Sequence, residues 1–285
     1  MSSSNLKIPS PWSQLALLVI LAGGALVLAA VAMLLIPGVH AGQIPTDAGT
    51  LKTVQAFSSI ILFGLPALFY ALMTFKDRPL VELGFRPALN VNFYLITIVL
   101  MFCAFPMEGW LGMINKSLPL PHWMTQMEQD QDKQITLILA GKRPIDLITN
   151  LVVVAVLPGI FEELCFRGAL QRVLIQLCKS PWAGIILTGL WFSASHMEFE
   201  GFLPRAFLGI VLGAAFWYSG SLWTVILAHV FFNGIQVIVA ASYPNMVTEN
   251  PSVPFYWALL SLVLVVGLLA YMRKRSTVSY ARIYN

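Results

Sequence analysis

The chain reads as a succession of long apolar runs separated by short polar stretches. A membrane-spanning helix needs about 20 predominantly apolar residues, and by that ruler the runs fall at roughly 13–37, 54–75, 91–110, 145–162, 182–196, 203–219, 221–241 and 254–272. The pattern predicts an all-α fold, a polytopic membrane bundle of about eight transmembrane helices. The first run starts near Trp12, with only Lys7 upstream and no small-residue cleavage site, so it is expected to persist as a helix rather than be removed as a signal peptide. The fourth run contains Pro158-Gly159 and continues as "FEELCFRGALQRVLIQLC". A kink or break is predicted there, since proline lacks the amide donor and its ring presses on the preceding turn. In lipid the freed backbone groups must be met by protein or a wet cavity, so a polar intramembrane cavity beside this helix is expected.

Composition places the chain in a bilayer. Hydrophobic residues make up 58% and charged residues only 11% of 285 positions, with mean hydropathy +0.78, against about 25% charged in soluble proteins. The net charge of +4 does not suggest nucleic acid as a partner, because the basic residues are scattered through loops and the tail rather than massed on one face. Cys103, Cys165 and Cys178 are odd in number and show no CxxC spacing, which argues against a disulfide framework or a thiolate metal site.

Loop charge sets the expected topology. Lys76, Arg78 and Arg86 follow the second run, Arg172 and Lys179 the fourth, and Arg273, Lys274, Arg275 and Arg282 the last. With eight spans all three groups share one side, while "HAGQIPTDAGT" and "SYPNMVTENPSVP" on the other side carry no Lys or Arg. The positive-inside rule then puts both termini in the cytoplasm, and the short loops fit a prokaryotic inner membrane. The stretch from about Leu111 to Arg143 is charged yet external. Within it "WMTQMEQDQDKQITLILAG" is expected to lie along the outer surface or form a partial helix, with a substrate-gating lid as the lesser reading. No internal repeat or low-complexity tract divides the chain, so residues 1–285 are expected to form a single membrane-embedded domain.

Ionisable groups inside spans cost about 2.5–3.5 kcal/mol each on insertion scales, so each needs a reason. "GIFEELCFRG" holds Glu162, Glu163 and Arg167, "WFSASH" ends in His196, and "WTVILAHVFFNG" holds His229 and Asn233. Glu163 and Arg167 are four apart, one helical face, with the acid on the favourable N-terminal side of an ion pair. Glu162 is turned by about 100 degrees and finds no partner on its own helix. His229 and Asn233 are again four apart, as are Phe192 and His196, which stacks a ring below the histidine.

Together "EELCFR", "FSASH" and "HVFFN" resemble the EExxxR, FxxxH and HxxxN motifs of the CPBP family, the CAAX prenyl proteases and bacteriocin-processing (Abi) intramembrane proteases. The resemblance is carried by a core at 146–240. It implies an intramembrane endopeptidase in which Glu162 is the general base, holding water jointly with His196, while His229 and Asn233 stabilise the oxyanion; Glu163 and Arg167 form a structural ion pair. It implies a membrane-associated protein or peptide substrate, of prenylated CAAX or leader type, at the lipid bilayer. No cofactor is required on this reading. Glu and two His can also hold zinc with an open water position, so a zinc-dependent version with Glu162, His196 and His229 as ligands is the alternative, although HExxH is absent. A non-catalytic immunity or scaffold protein is a second alternative and a proton relay a third. The relay would favour repeated halves, whereas these groups cluster on three runs.

Overall fold

A computed structural model of the chain describes residues 5–39, 45–243 and 252–284. His40 and most of the two loops lacking Lys and Arg lie outside them. The chain is 80% helical, and no strand forms among the described residues. The long helices are α1 (Pro11–Met33), α2 (Ala48–Thr74), α3 (Asn92–Lys116), α4 (His122–Leu139), α5 (Pro144–Cys178), α6 (Pro181–Ala194), α7 (Phe202–Ser219), α8 (Leu222–Ser242) and α9 (Phe255–Arg275). Seven of them are long and apolar enough to cross a membrane; the protein is an integral membrane helix bundle. The exceptions are α4, which is amphipathic and mostly polar, and α6, apolar but only 14 residues long.

The eight runs thus become seven full spans and one short one. The fifth run stops being helical after Ala194, because Met197 adopts a left-handed conformation with φ of 54° and turns the chain into the segment 195–201. Even so, α6 joins the two ends of the bundle. It follows Lys179 at one end, and the segment after it meets α3 and α4 at the other, where Asn115 Nδ2 donates to Phe199 O at 2.7 Å.

The break anticipated at Pro158 does not occur. Instead α5 runs unbroken for 35 residues by widening into two π turns, Leu151–Val156 and Leu164–Leu170. The first ends where the proline begins: the Leu157 N–H donates to Val152 O, five residues back. A wider turn makes room for the ring without opening the helix. Before Pro66, α2 uses the same device, with the Leu65 N–H donating to Ile60 O.

One end of the bundle is stitched together by polar contacts. The Lys76 N–H donates to Asn5 O, Asn5 Nδ2 to Glu82 Oε1 at 2.8 Å, Arg172 Nη1 to Glu82 O at 2.8 Å and Tyr284 Oη to Arg172 O at 3.4 Å. Arg86 Nε donates to Gly220 O at 2.8 Å. The described N-terminal and C-terminal residues therefore lie at the same end, together with the loops that follow α2 and α5.

Candidate active site

The site begins with a glycine. A Cβ at Gly159 would meet Val230 Cγ2 at 2.6 Å, so its absence lets α5 and α8 touch. One turn further along α5, Glu163 faces His229, the neighbour of Val230. Glu163 Oε1 accepts hydrogen bonds from His229 Nδ1 at 2.8 Å and from Arg167 Nη1 at 2.8 Å. Glu163 and Arg167 are both fully buried, where a lone charge would be very costly. A second glycine serves the arginine: α7 has no side chain at Gly209, and Arg167 Nη2 donates to Gly209 O at 3.0 Å.

Phe192 supplies the common floor. The Arg167 guanidinium lies 4.7 Å from its ring centroid, and the rings of His196 and His229 sit 4.9 and 6.0 Å away. Arg167 is thus neutralised by Glu163, bonded to backbone and laid on an aromatic face. Glu162, which is 6% exposed, takes no part in the hydrogen bonds that join Glu163, Arg167 and His229.

His196 stands in the turn beyond α6. Its Nδ1 donates to Phe192 O at 2.8 Å, so the neutral ring presents Nε2 as an acceptor. That nitrogen is 3.8 Å from Glu162 Oε2, too far for a direct hydrogen bond. Two acceptors facing each other across such a gap suit a molecule that donates twice, as water does. On α8, Asn233 Nδ2 donates to Val154 O at 3.3 Å, which uses one of its two N–H groups and leaves the other.

His229 is held in one orientation by Glu163. With Nδ1 donating to the carboxylate, Nε2 can donate in turn only in the imidazolium form. Among the described residues no group of three His, Cys, Asp or Glu side chains is placed to hold a metal ion.

Several residues around the site were not among the candidates read from the sequence. Glu128 of α4 is 8% exposed, and its Oε1 accepts from the Phe199 and Glu200 N–H groups. Asn115 Oδ1 accepts from the Leu203 N–H at 2.6 Å, and Trp123 packs edge-on to Phe199 with centroids 5.5 Å apart. The amphipathic stretch is therefore a full helix that clasps the segment following His196. Arg205 of α7 pairs with Glu198 in that segment and lies within electrostatic reach of Glu108, Glu128 and Glu162. Glu108 and Arg205 are charges inside predicted spans, so the rule that singled out Glu162 would have found them too.

With this geometry in place, comparison with known proteins shows what the core is similar to. Residues 144–235 match the Rce1-like family, type II CAAX prenyl endopeptidases. The Rce1-like segment contains Glu162, Glu163, Arg167, His196, His229 and Asn233, and it runs from the start of α5 into α8. The chain is also 29% identical over 121 residues to an uncharacterized 24.3 kDa protein of Escherichia coli, an alignment that covers 41% of this chain and 52% of that protein. The chain thus spans about half the length of this curated relative. No solved structure matches.

Proposed function

We propose that the protein is an intramembrane endopeptidase that hydrolyses a peptide bond of a membrane-associated substrate without a metal. The observation that carries this reading is the 3.8 Å gap between Glu162 Oε2 and His196 Nε2, two acceptors placed to orient one water. Glu162 removes a proton from that water as its oxygen attacks the scissile carbonyl carbon. The oxyanion formed accepts hydrogen bonds from the spare N–H of Asn233 and from the ring of His229, which Glu163 holds in place. As the C–N bond breaks, Glu162 returns the proton to the leaving amine, which restores the carboxylate.

The substrate enters this reading through the family: a prenylated CAAX protein or a leader-type peptide held at the bilayer. The basic end of the bundle, with both termini, faces the cytoplasm of a prokaryotic inner membrane, in keeping with the positive-inside rule. Cleavage of a panel of membrane-tethered peptides, a prenylated CAAX peptide among them, tests the proposal. Wild type should cleave, Glu162→Gln should lose about 10²–10⁴-fold in rate, and a chelator should leave wild-type turnover intact. Equal turnover by Glu162→Gln would remove the general base from Glu162, and loss with chelator alone would restore the zinc version.

A further inference from the structure

A second polar site lies at the basic end, outside the Rce1-like segment's chemistry. After α9 the chain turns back, with the Ser276 N–H donating to Met272 O at 2.9 Å, and the tail lies across the end of the bundle. Between this tail and the adjoining ends of α6 and α7 is a cavity of about 210 Å³, lined by Trp182, Trp217, Tyr218, Arg273, Ser279 and Tyr280 among others.

The donor inventory of the cavity decides what it could hold. Arg273 is its only charged lining residue, and no carboxylate lies within ion-pair distance of its guanidinium among the described residues. The Tyr218 and Tyr280 hydroxyls likewise make no hydrogen bond to another described residue. Arg273, with Tyr218, Tyr280 and Trp182 also in the lining, brings one positive charge among residues that carry neutral donors, which fits a phosphate and repels a cation. Its position separates a lipid from a free ion. The cavity sits where α9 leaves the span, beside Trp182, which is 44% exposed as interfacial tryptophans are. From there the exposed apolar residues Ile186 and Leu190 of α6 continue toward the other end of the bundle and offer acyl chains a path.

We propose that this cavity binds the headgroup phosphate of an anionic phospholipid, independently of any proteolysis. Native mass spectrometry of the full-length protein, titrated with phosphatidylglycerol or phosphatidylcholine, tests it. Wild type should bind phosphatidylglycerol in preference. Arg273→Gln should weaken that binding about fivefold, and Lys274→Gln, one residue on but outside the cavity, should change it by less than about twofold. Inorganic phosphate at millimolar concentration should not displace the lipid, and melting curves of both variants should match wild type. Equal binding of the two lipids, or an Arg273→Gln variant that binds as wild type, would overturn the site. Displacement by inorganic phosphate would overturn the lipid assignment in favour of a free anion.

Discussion

Asn233 of α8 donates through Nδ2 to the carbonyl oxygen of Val154 on α5, four residues before Pro158. A proline has no N–H to offer that oxygen, so a side chain from the neighbouring helix supplies the hydrogen bond. The motif asparagine is therefore tied to the helix irregularity as well as to the chemistry proposed for it. Asn233→Ala should lower stability by about 1–3 kcal/mol and turnover by about 10²–10³-fold. In a Pro158→Ala background the stability cost should shrink while the turnover cost stays, because residue 158 then has its own N–H for Val154 O. Chemical denaturation of the four proteins in detergent reads the coupling; strictly additive stability costs would disconnect the two residues.

The buried pair sets a second expectation. Arg167→Ala strips the buried Glu163 carboxylate of the guanidinium that pairs with it, a change worth about 3–5 kcal/mol in buried pairs. Melting temperature and yield should both fall, with activity lost as a consequence. Wild-type melting in Arg167→Ala would show that Glu163 does not need this partner.

Helix contact at Gly159 can be tested by adding one carbon. In Gly159→Ala the new Cβ meets Val230 Cγ2 at 2.6 Å, so α5 and α8 must part, at a typical overpacking cost of about 1–3 kcal/mol, and Glu163 moves off His229. Turnover and stability should drop together. Val230→Ala removes the offending methyl and should recover much of both in the double variant, whereas an unrescued double variant would place the damage elsewhere.

The clasp from α4 yields a kinetic prediction. Glu128→Ala takes the acceptor from two backbone N–H groups just beyond His196, and a misplaced catalytic group can cost on the order of 10²-fold in rate. The loss should fall on kcat with KM little changed, and Glu128→Gln, which keeps an acceptor oxygen, should recover most of it. A loss confined to KM would mean that Glu128 shapes substrate binding instead.

The fold was legible wherever length and hydropathy alone decide it, which covers α1, α2, α3, α7, α8 and α9, with ends up to six residues from those expected. It was least legible at Pro158, because periodicity cannot say whether a helix breaks or widens; π turns depend on packing from α8, which is distant in sequence. The i,i+4 spacing of Glu163 and Arg167 could be read, but the hydrogen bond from His229 to the same oxygen could not, since it joins residues 66 apart. The spacing of Phe192 and His196 put the two rings together, though edge-on at 64°, while the left-handed Met197 beyond them carried no glycine to announce it. Glu128 and Asn115 were hidden for a plainer reason: on polar stretches, an acid or an amide gives no sign of being buried.

The short helix α6 has a consequence for the membrane itself. Fourteen residues of α-helix measure about 21 Å, some 9 Å less than a hydrocarbon core of about 30 Å. Along that face the bilayer is mismatched, and lipids relieve mismatch by thinning locally. Thinning there would draw headgroups and water inward beside the turn that carries His196. The hydrolysis proposed for this protein needs water, and a thinned bilayer beside α6 would bring water's boundary closer to the candidate site.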